Sequence, residues 1–199
     1  MLKRLLRFFV PFGLLLYCLG SLTEAHPGSQ ADPAPAPLWV TAYYAGYHQG
    51  PAAQHLLPPE AIDYRAVTHL IHFCLVPTAA GGIDPDANGI TPEKATALVT
   101  RAHSQHVNAL IGVGGENTRD AFRTATAEPN LDRFVNNLAG FMDRFHYDGI
   151  DVDWEPLRPD DAAQFQALIG RLRTRFDERT PRPLLTVAAD EHPELLAPI

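Results

Sequence analysis

The stretch that most constrains the fold is residues 147–156, YDGIDVDWEP, in which acidic and apolar side chains alternate. Successive side chains of a β-strand point to opposite faces, so a period of two predicts a strand with one apolar and one acidic face. The apolar side chains are Ile150, Val152 and Trp154, and the acidic ones are Asp151, Asp153 and Glu155. Two structures satisfy this pattern. One is a half-exposed antiparallel strand with its acids in water, and the other is a strand whose acidic face lines a cavity.

The segments on either side favour the second structure. Residues 130–145 and 160–176 carry apolar side chains at helical spacing. A strand between two such helices is typical of a βαβ series, in which parallel strands are covered by helices on their outer face. In a closed parallel barrel the acidic face points into the interior, where desolvation and like-charge repulsion raise the pKa values of carboxylates. The acid group is therefore predicted to hold at least one proton near neutral pH, which a general acid needs.

The chain after residue 37 continues the alternation of strands and helices. Strands are predicted at 38–45, 67–76 and 184–189, a strand with its exit turn at 108–115, and helices at 91–106, 130–145 and 160–176. Thr91 and Asn130 are the expected caps of the first two helices. Right-handed crossovers would place all helices outside the sheet and all strand carboxyl ends at one edge. The prediction is an α/β fold of the (β/α)8 TIM-barrel type, truncated after the fifth strand because a complete barrel takes about 250 residues.

The spacing of the acids resembles the D-x-x-D-x-D-x-E run of glycoside hydrolase family 18, the chitinases and their relatives. Asp148, Asp151, Asp153 and Glu155 fill its four acidic positions. The resemblance implies that Glu155 is the general acid and that Asp153 orients the acetamido group of the substrate, whose carbonyl oxygen attacks the anomeric carbon. It also implies that Asp151 shares a proton with Asp153 and that Asp148 has a structural role. Strand geometry alone leaves open a direct nucleophilic role for Asp153.

The resemblance extends to two other strands. The third strand ends in GVGG at 112–115, which is similar to the S-x-G-G of the family except that Gly112 replaces the serine. In the family that serine hydroxyl bonds toward the acids. Tyr43, on the first strand, is expected to point inward toward the acids, although a tyrosine packed elsewhere with a satisfied hydroxyl is an equal alternative. Substrate contacts are predicted at Trp154, Gly114, Gly115 and Asp190. For Asp190, after the fifth strand, the alternative is a side chain that is simply solvated. The loop with His48 and His55, after the first strand, is expected to line the mouth of a cleft.

Several functional classes are excluded. The net charge of −7 offers no basic patch for phosphates, which argues against nucleic acid as a partner. His69 and His72 are three residues apart on a strand, so they lie on opposite faces and cannot form a metal pair. The acid run lacks the loop glycine of a calcium site. No metal and no cofactor are predicted.

The amino terminus predicts export. Residues 1–25 have a basic start, an apolar run at 8–19 and a small-x-small site ending at Ala25, as in a secretory signal peptide. An uncleaved anchor is the alternative. Residues 26–37, rich in proline and alanine, are predicted to be an extended linker, and 38–199 to be the partial catalytic domain. After cleavage we expect a secreted protein without stable membrane association, whose single remaining cysteine, Cys74, is a small buried hydrophobe.

These observations predict a secreted glycosidase that hydrolyses β-1,4-linked N-acetylglucosamine polymers such as chitin. The resemblance implies a retaining mechanism assisted by the substrate, a recognised exception to the scheme with two enzyme carboxylates. Two alternatives within the family are an endo-β-N-acetylglucosaminidase and a hydrolase directed at peptidoglycan. A non-hydrolytic carbohydrate-binding protein is an alternative from another class.

Overall fold

A computed structural model describes residues 38–188 and 193–196 of the 199-residue chain. The predicted signal peptide, the predicted linker and Asp190 lie outside the described residues. No helix within the described ranges is long and apolar enough to cross a membrane.

The described elements alternate along the chain, largely as the sequence predicts. The strands are β1 (Thr41–Ala45), β2 (His69–Pro77), β3 (Ile83–Asp84), β4 (Asn108–Gly115), β5 (Gly149–Trp154) and β6 (Leu184–Val187). The helices are α1 (Pro92–Ser104), α2 (Arg119–Ala125), α3 (Leu131–Phe145) and α4 (Ala162–Asp177). The two-residue strand β3 and the short helix α2 were not predicted, because neither is long enough to establish a period.

Within residues 38–188, five strands form one parallel sheet in the order β1-β2-β4-β5-β6, and β3 pairs antiparallel with β2. Parallel strands that follow one another along the chain are therefore neighbours in the sheet, as in a TIM barrel. In this register Asp151 lies opposite Gly112 on one side and Thr186 on the other. The predicted α/β class and the parallel setting of the acid strand are confirmed.

The two faces of β5 differ as the alternation predicts. Ile150 and Val152 are fully buried in the core that the outer face of the sheet forms with the helices. The helices contribute stripes of buried side chains, among them Leu98 of α1, Phe134 of α3 and Phe165 of α4. Burial of each such side chain contributes about 1.5–3 kcal/mol to stability. This packing fixes which face of β5 the acids occupy.

The side chain of Trp154 lies in the core and not at the predicted substrate site. Its side chain is only 3% exposed, stacks on Phe122 at a ring distance of 4.6 Å and meets the edge of Phe165 at 6.2 Å. The indole thus lies between the sheet and helices α2 and α4, on the face opposite the acids. The predicted substrate contact of Trp154 is wrong, because the period-two alternation that aims the acids inward aims this side chain into the core.

The helix starts agree with the sequence in one case and differ in two. Thr91 caps α1: its Oγ1 accepts the amide of Lys94 at 3.3 Å. Asn130 precedes α3 but makes no side-chain cap, since its amide group donates instead to the carbonyls of Ala79 and Thr124. The third predicted helix begins at Ala162 rather than residue 160, after the 3-10 turn Pro159–Asp161.

Candidate active site

The acids of β5 lie at graded depths on the inner face of the sheet. Asp151 is 1% exposed and lines an inner cavity of about 280 Å³ with Tyr43, Ile71 and Leu110. Asp153, two residues further on, is partly exposed and lines a second cleft. Glu155 follows the last residue of the strand and is also partly exposed. The row therefore runs from a buried carboxyl to one within reach of solvent at the carboxyl end of a parallel strand, where barrel enzymes place their chemistry.

Asp151 is held by one side chain from each edge strand. The hydroxyl of Thr186 on β6 donates to its Oδ1 at 2.5 Å, and the hydroxyl of Tyr43 on β1 donates to its Oδ2 at 3.2 Å. Burial raises the pKa of Asp151, and these two hydrogen bonds offset part of that rise. The direction agrees with a proton retained in the acid group.

Tyr43 remains a hydrogen-bond donor in this setting. Burial raises the pKa of its phenol, and the charges of Asp151 and Asp153 raise it further. The ring is 53% exposed and packs edge-on against Phe73 at a centroid distance of 5.6 Å. The structure thus places Tyr43 facing the acids, the first of the two alternatives that the sequence left open.

The raised pKa of Asp151 makes stability depend on pH. The folded state binds the proton of Asp151 more tightly than the unfolded chain does. Asp151 therefore makes its full contribution to the free energy of unfolding at pH values below the pKa that it has in the unfolded chain. This contribution is lost as pH rises through the folded pKa.

We expect Tyr43→Phe to raise the pKa of Asp151 further, because the substitution removes a hydrogen bond that favours the carboxylate. Carbon-detected NMR titration of the Asp151 carboxyl measures this change. Tyr47→Phe is the matched control, since Tyr47 is equally exposed at 53% and lines the neighbouring cleft. A pKa that stays constant or falls in Tyr43→Phe would contradict the assigned donor.

Aromatic side chains form the mouth of the cleft beside Asp153. The cleft has a volume of about 370 Å³, and its lining comes from β1, the following turn, β2 and β5: Tyr43, Ala45, Tyr47, His48, Phe73 and Asp153. Tyr47 and His48 meet edge to face at 4.6 Å. The expected place of His48 at a cleft agrees with this lining, and His55 lines an adjoining cavity of about 400 Å³. Tyr47 and Phe73 were not predicted; alternation along β2 could have identified Phe73, which lies two residues after the inward-facing Ile71.

Asp148 lies apart from the other three acids, at the amino end of the sheet. Its Oδ2 accepts the amide of Ala109 at 2.7 Å and contacts Nε2 of His103 at 2.8 Å. Asp148 thus joins α1, β4 and the start of β5. A cavity of about 560 Å³ lies at this end, lined in part by Asp148 and Arg179, but neither Asp153 nor Glu155 contributes to it.

The glycines at the end of β4 allow close approach of backbones. Gly114 has a φ of +121°, and a Cβ there would lie 1.9 Å from the carbonyl oxygen of Asp153. A Cβ at Gly115 would lie 2.8 Å from Phe73. Both residues are buried, so their structural role is packing next to the acids, and their substrate contacts stay predictions.

Gly112 lies in register with Asp151, and the space beside it is occupied by side chains of β2. A Cβ at this position would lie 3.1 Å from Cγ2 of Ile71 and 3.4 Å from Cβ of Cys74. The hydroxyls that reach Asp151 come from Tyr43 and Thr186. Sequence reasoning missed Thr186, although counting parallel register from β5 to β6 would have identified it.

The two strand histidines serve separate structural contacts. His69 stacks on Trp39 at a ring distance of 3.5 Å, whereas His72 is fully buried and contacts the hydroxyl of Tyr147 through Nδ1 at 2.7 Å. Desolvation lowers the pKa of His72 to about 3, so its imidazole is neutral. Within 38–188 and 193–196, no group of three or more His, Cys, Asp or Glu side chains is placed to hold a metal ion.

Sequence comparisons relate this chain to known proteins. A family model described as "Glycosyl hydrolases family 18" matches residues 40–196. A chitinase-like mite allergen of Dermatophagoides pteronyssinus is 25% identical over 162 residues, which are 76% of this chain and 34% of the allergen. A probable chitinase 2 of Drosophila melanogaster is 36% identical over 93 residues, which are 43% of this chain and 19% of that protein.

Solved structures share the fold. The crystal structure of Ostrinia furnacalis Group IV chitinase in complex with allosamidin is 26% identical, with a TM-score of 0.65 over 76% of this chain and 43% of that chain. A chitinase from Bacteroides thetaiotaomicron is 19% identical and has a TM-score of 0.62 over 76% of this chain and 46% of that chain. The chain spans less than half the length of each of these proteins.

Proposed function

The chain belongs to glycosyl hydrolases family 18, and we propose that it hydrolyses β-1,4 bonds in polymers of N-acetylglucosamine such as chitin. The inner-face position of Asp151 and Asp153, one buried and hydrogen-bonded from two strands and the other in an aromatic cleft, carries the proposal. The relatives that are called chitinases, and the binding of allosamidin by one of them, support the same substrate class.

In the proposed reaction, Glu155 donates a proton to the glycosidic oxygen as the bond to the leaving sugar breaks. The carbonyl oxygen of the substrate's acetamido group attacks the anomeric carbon and forms a cyclic intermediate. Asp153 orients that acetamido group, and Asp151 shares a proton with Asp153. Water then opens the intermediate with Glu155 as base, so the configuration at the anomeric carbon is retained.

The contribution of this chain's residues is positioning and proton control. The hydroxyls of Tyr43 and Thr186 fix the carboxyl group of Asp151 in one orientation. Because burial raises the pKa of Asp151, its carboxyl group can hold the proton that it shares with Asp153. The two carboxyl groups then carry one negative charge together instead of two. The aromatic side chains at the cleft offer apolar faces on which a sugar ring can pack.

Removal of the acetyl group from the sugar on the non-reducing side of the cleaved bond tests the assisted route. We expect turnover to fall at least about 100-fold, since a well-oriented internal nucleophile provides effective molarities far above those of a solvent molecule. Release of the same leaving group from acetylated and deacetylated chito-oligosaccharides measures the change. Comparable rates on both substrates would reject assistance and favour Asp153 as the direct nucleophile.

Gly112 favours one candidate function from another class, a carbohydrate-binding protein without turnover. The family serine is replaced, and the space beside it is filled by Ile71 and Cys74. Calorimetric binding of chito-oligosaccharide combined with a product assay separates the two functions. Binding in the absence of released sugar identifies the lectin-like function.

The endo-β-N-acetylglucosaminidase and the peptidoglycan-directed hydrolase share the proposed chemistry and differ only in the substrate. Turnover of a chitin oligomer, a glycoprotein glycan and a muropeptide polymer under one set of conditions distinguishes them. Export is a further part of the proposal and rests on residues 1–25. Amino-terminal sequencing of protein recovered outside the producing cell tests it, with His26 as the expected first residue.

A further inference from the structure

The loop that follows β4 is bonded directly to the backbone of Glu155. The amide of Thr118 donates to the carbonyl oxygen of Glu155 at 3.1 Å. The hydroxyl of Thr118 donates to the carbonyl oxygen of Gly115 at 2.6 Å, and the residue is 7% exposed. The amide that holds Glu155 is thus itself fixed to the end of β4.

The next residue, Arg119, reaches the far end of the loop that follows β5. Its Nε donates to Oδ2 of Asp161 at 2.7 Å, and its Nη2 donates to both carboxylate oxygens of Asp160 at 2.8 Å. Oδ2 of Asp161 also accepts the amide of Arg158 at 3.1 Å. The adjacent residues Thr118 and Arg119 therefore hold the two ends of segment 155–158. Thr118 bonds directly to Glu155, and Arg119 bonds to Asp161, which accepts the amide of Arg158.

The charges and burial of this group differ from those of an ordinary surface ion pair. The side chain of Asp161 is fully buried and that of Arg119 is 22% exposed. A buried carboxylate requires a paired, hydrogen-bonded partner, and the planar fork of arginine suits it. Arg123 approaches the same two carboxylates less closely, at 3.2 and 3.5 Å. By contrast, Arg171 and Asp132 pair at 3.4 Å with side chains 56% and 70% exposed.

We propose that Arg119 and Asp161 are positioning residues that hold Glu155 in place for proton donation. The inference rests on the proposed function, which assigns the proton to Glu155. Both residues act through backbone hydrogen bonds at the two ends of segment 155–158. Their effect is transmitted by Thr118 to the carbonyl oxygen of Glu155 and by the amide of Arg158 to the far end of the loop. A displacement of about 1 Å at a reacting group is enough to slow an enzyme about 100-fold.

Arg119→Gln in the full chain tests the proposal by kinetics. We expect kcat for chito-oligosaccharide hydrolysis to fall about 10- to 100-fold while KM changes less than about threefold, because the acid is displaced and the aromatic cleft is not. Arg119→Lys, which keeps the charge but loses the fork, should recover part of kcat. Arg171→Gln is the matched control and should retain full kcat. A kcat in Arg119→Gln equal to that of the unsubstituted protein would overturn the proposal.

Amide hydrogen exchange gives a readout that does not depend on turnover. In Arg119→Gln the amides of Thr118 and Arg158 should exchange more than about tenfold faster, while the amide of Phe134 in α3 keeps its rate. Equal acceleration at all three amides would show a merely structural role and overturn the proposal, as would no acceleration at Thr118 and Arg158. If the unsubstituted protein does not turn over chito-oligosaccharides, the proposed function fails, and the exchange rates alone decide whether Arg119 and Asp161 hold the backbone at Glu155 and Arg158.

Discussion

Glu155→Gln is expected to reduce kcat on chito-oligosaccharides by about 10²- to 10⁴-fold, the range typical for loss of a general acid. The substitution preserves the shape of the side chain and removes the proton that the leaving oxygen must receive. KM should change little, because the cleft residues Tyr43, Tyr47 and Phe73 are unaltered. Steady-state release of reducing ends measures both constants.

Glu116→Gln provides the control for this experiment. Glu116 is exposed, follows the carboxyl end of β4 and does not belong to the acid row. Its substitution should leave kcat within about twofold, as is usual for surface changes. Equal losses in both variants, or full activity in Glu155→Gln, would remove Glu155 from the mechanism. Binding without turnover in the unsubstituted protein as well as in Glu155→Gln would instead favour the lectin-like function.

The sequence predicts local periodicity far better than contacts across the sheet. The two faces of β5 follow from alternation alone, and the structure confirms them with Ile150 and Val152 buried in the core and Asp151 on the inner face. The segment 108–115 was predicted to hold a strand and its exit turn, and in the structure β4 extends through Gly114 to Gly115. The roles of the acids stay predictions, since they concern a reaction and not a geometry.

The residues that sequence reasoning missed are those whose partners lie far along the chain. Thr186 contacts Asp151 across 35 positions, and Arg119 contacts Asp161 across 42. Neither pair belongs to a local motif, so only the strand order and register bring them together. Trp154 shows the opposite error, in which a residue next to the acids in sequence is separated from them by the thickness of the sheet.

Gly114→Ala should be the most destabilising of these substitutions, because it combines two effects. Alanine at a φ of +121° requires a strained backbone, which costs about 1–3 kcal/mol. The new Cβ would also lie 1.9 Å from the carbonyl oxygen of Asp153 and 2.8 Å from the ring of Phe122. Separating these atoms adds about 1–3 kcal/mol of overpacking. We therefore expect a loss of about 2–6 kcal/mol in the free energy of unfolding, measured by urea denaturation.

Gly140→Ala is the matched control, and its expected effect has the opposite sign. Gly140 is exposed on α3, and a Cβ there would meet nothing within 4 Å. Alanine should stabilise the helix by about 0.5–1 kcal/mol because it restricts the unfolded chain. The pair therefore separates a general glycine-to-alanine effect from the close approach of β4 to Asp153. If Gly114→Ala were as stable as the unsubstituted protein, the backbones of β4 and β5 would have to lie further apart. The position assigned to Asp153 beside the cleft would then be wrong.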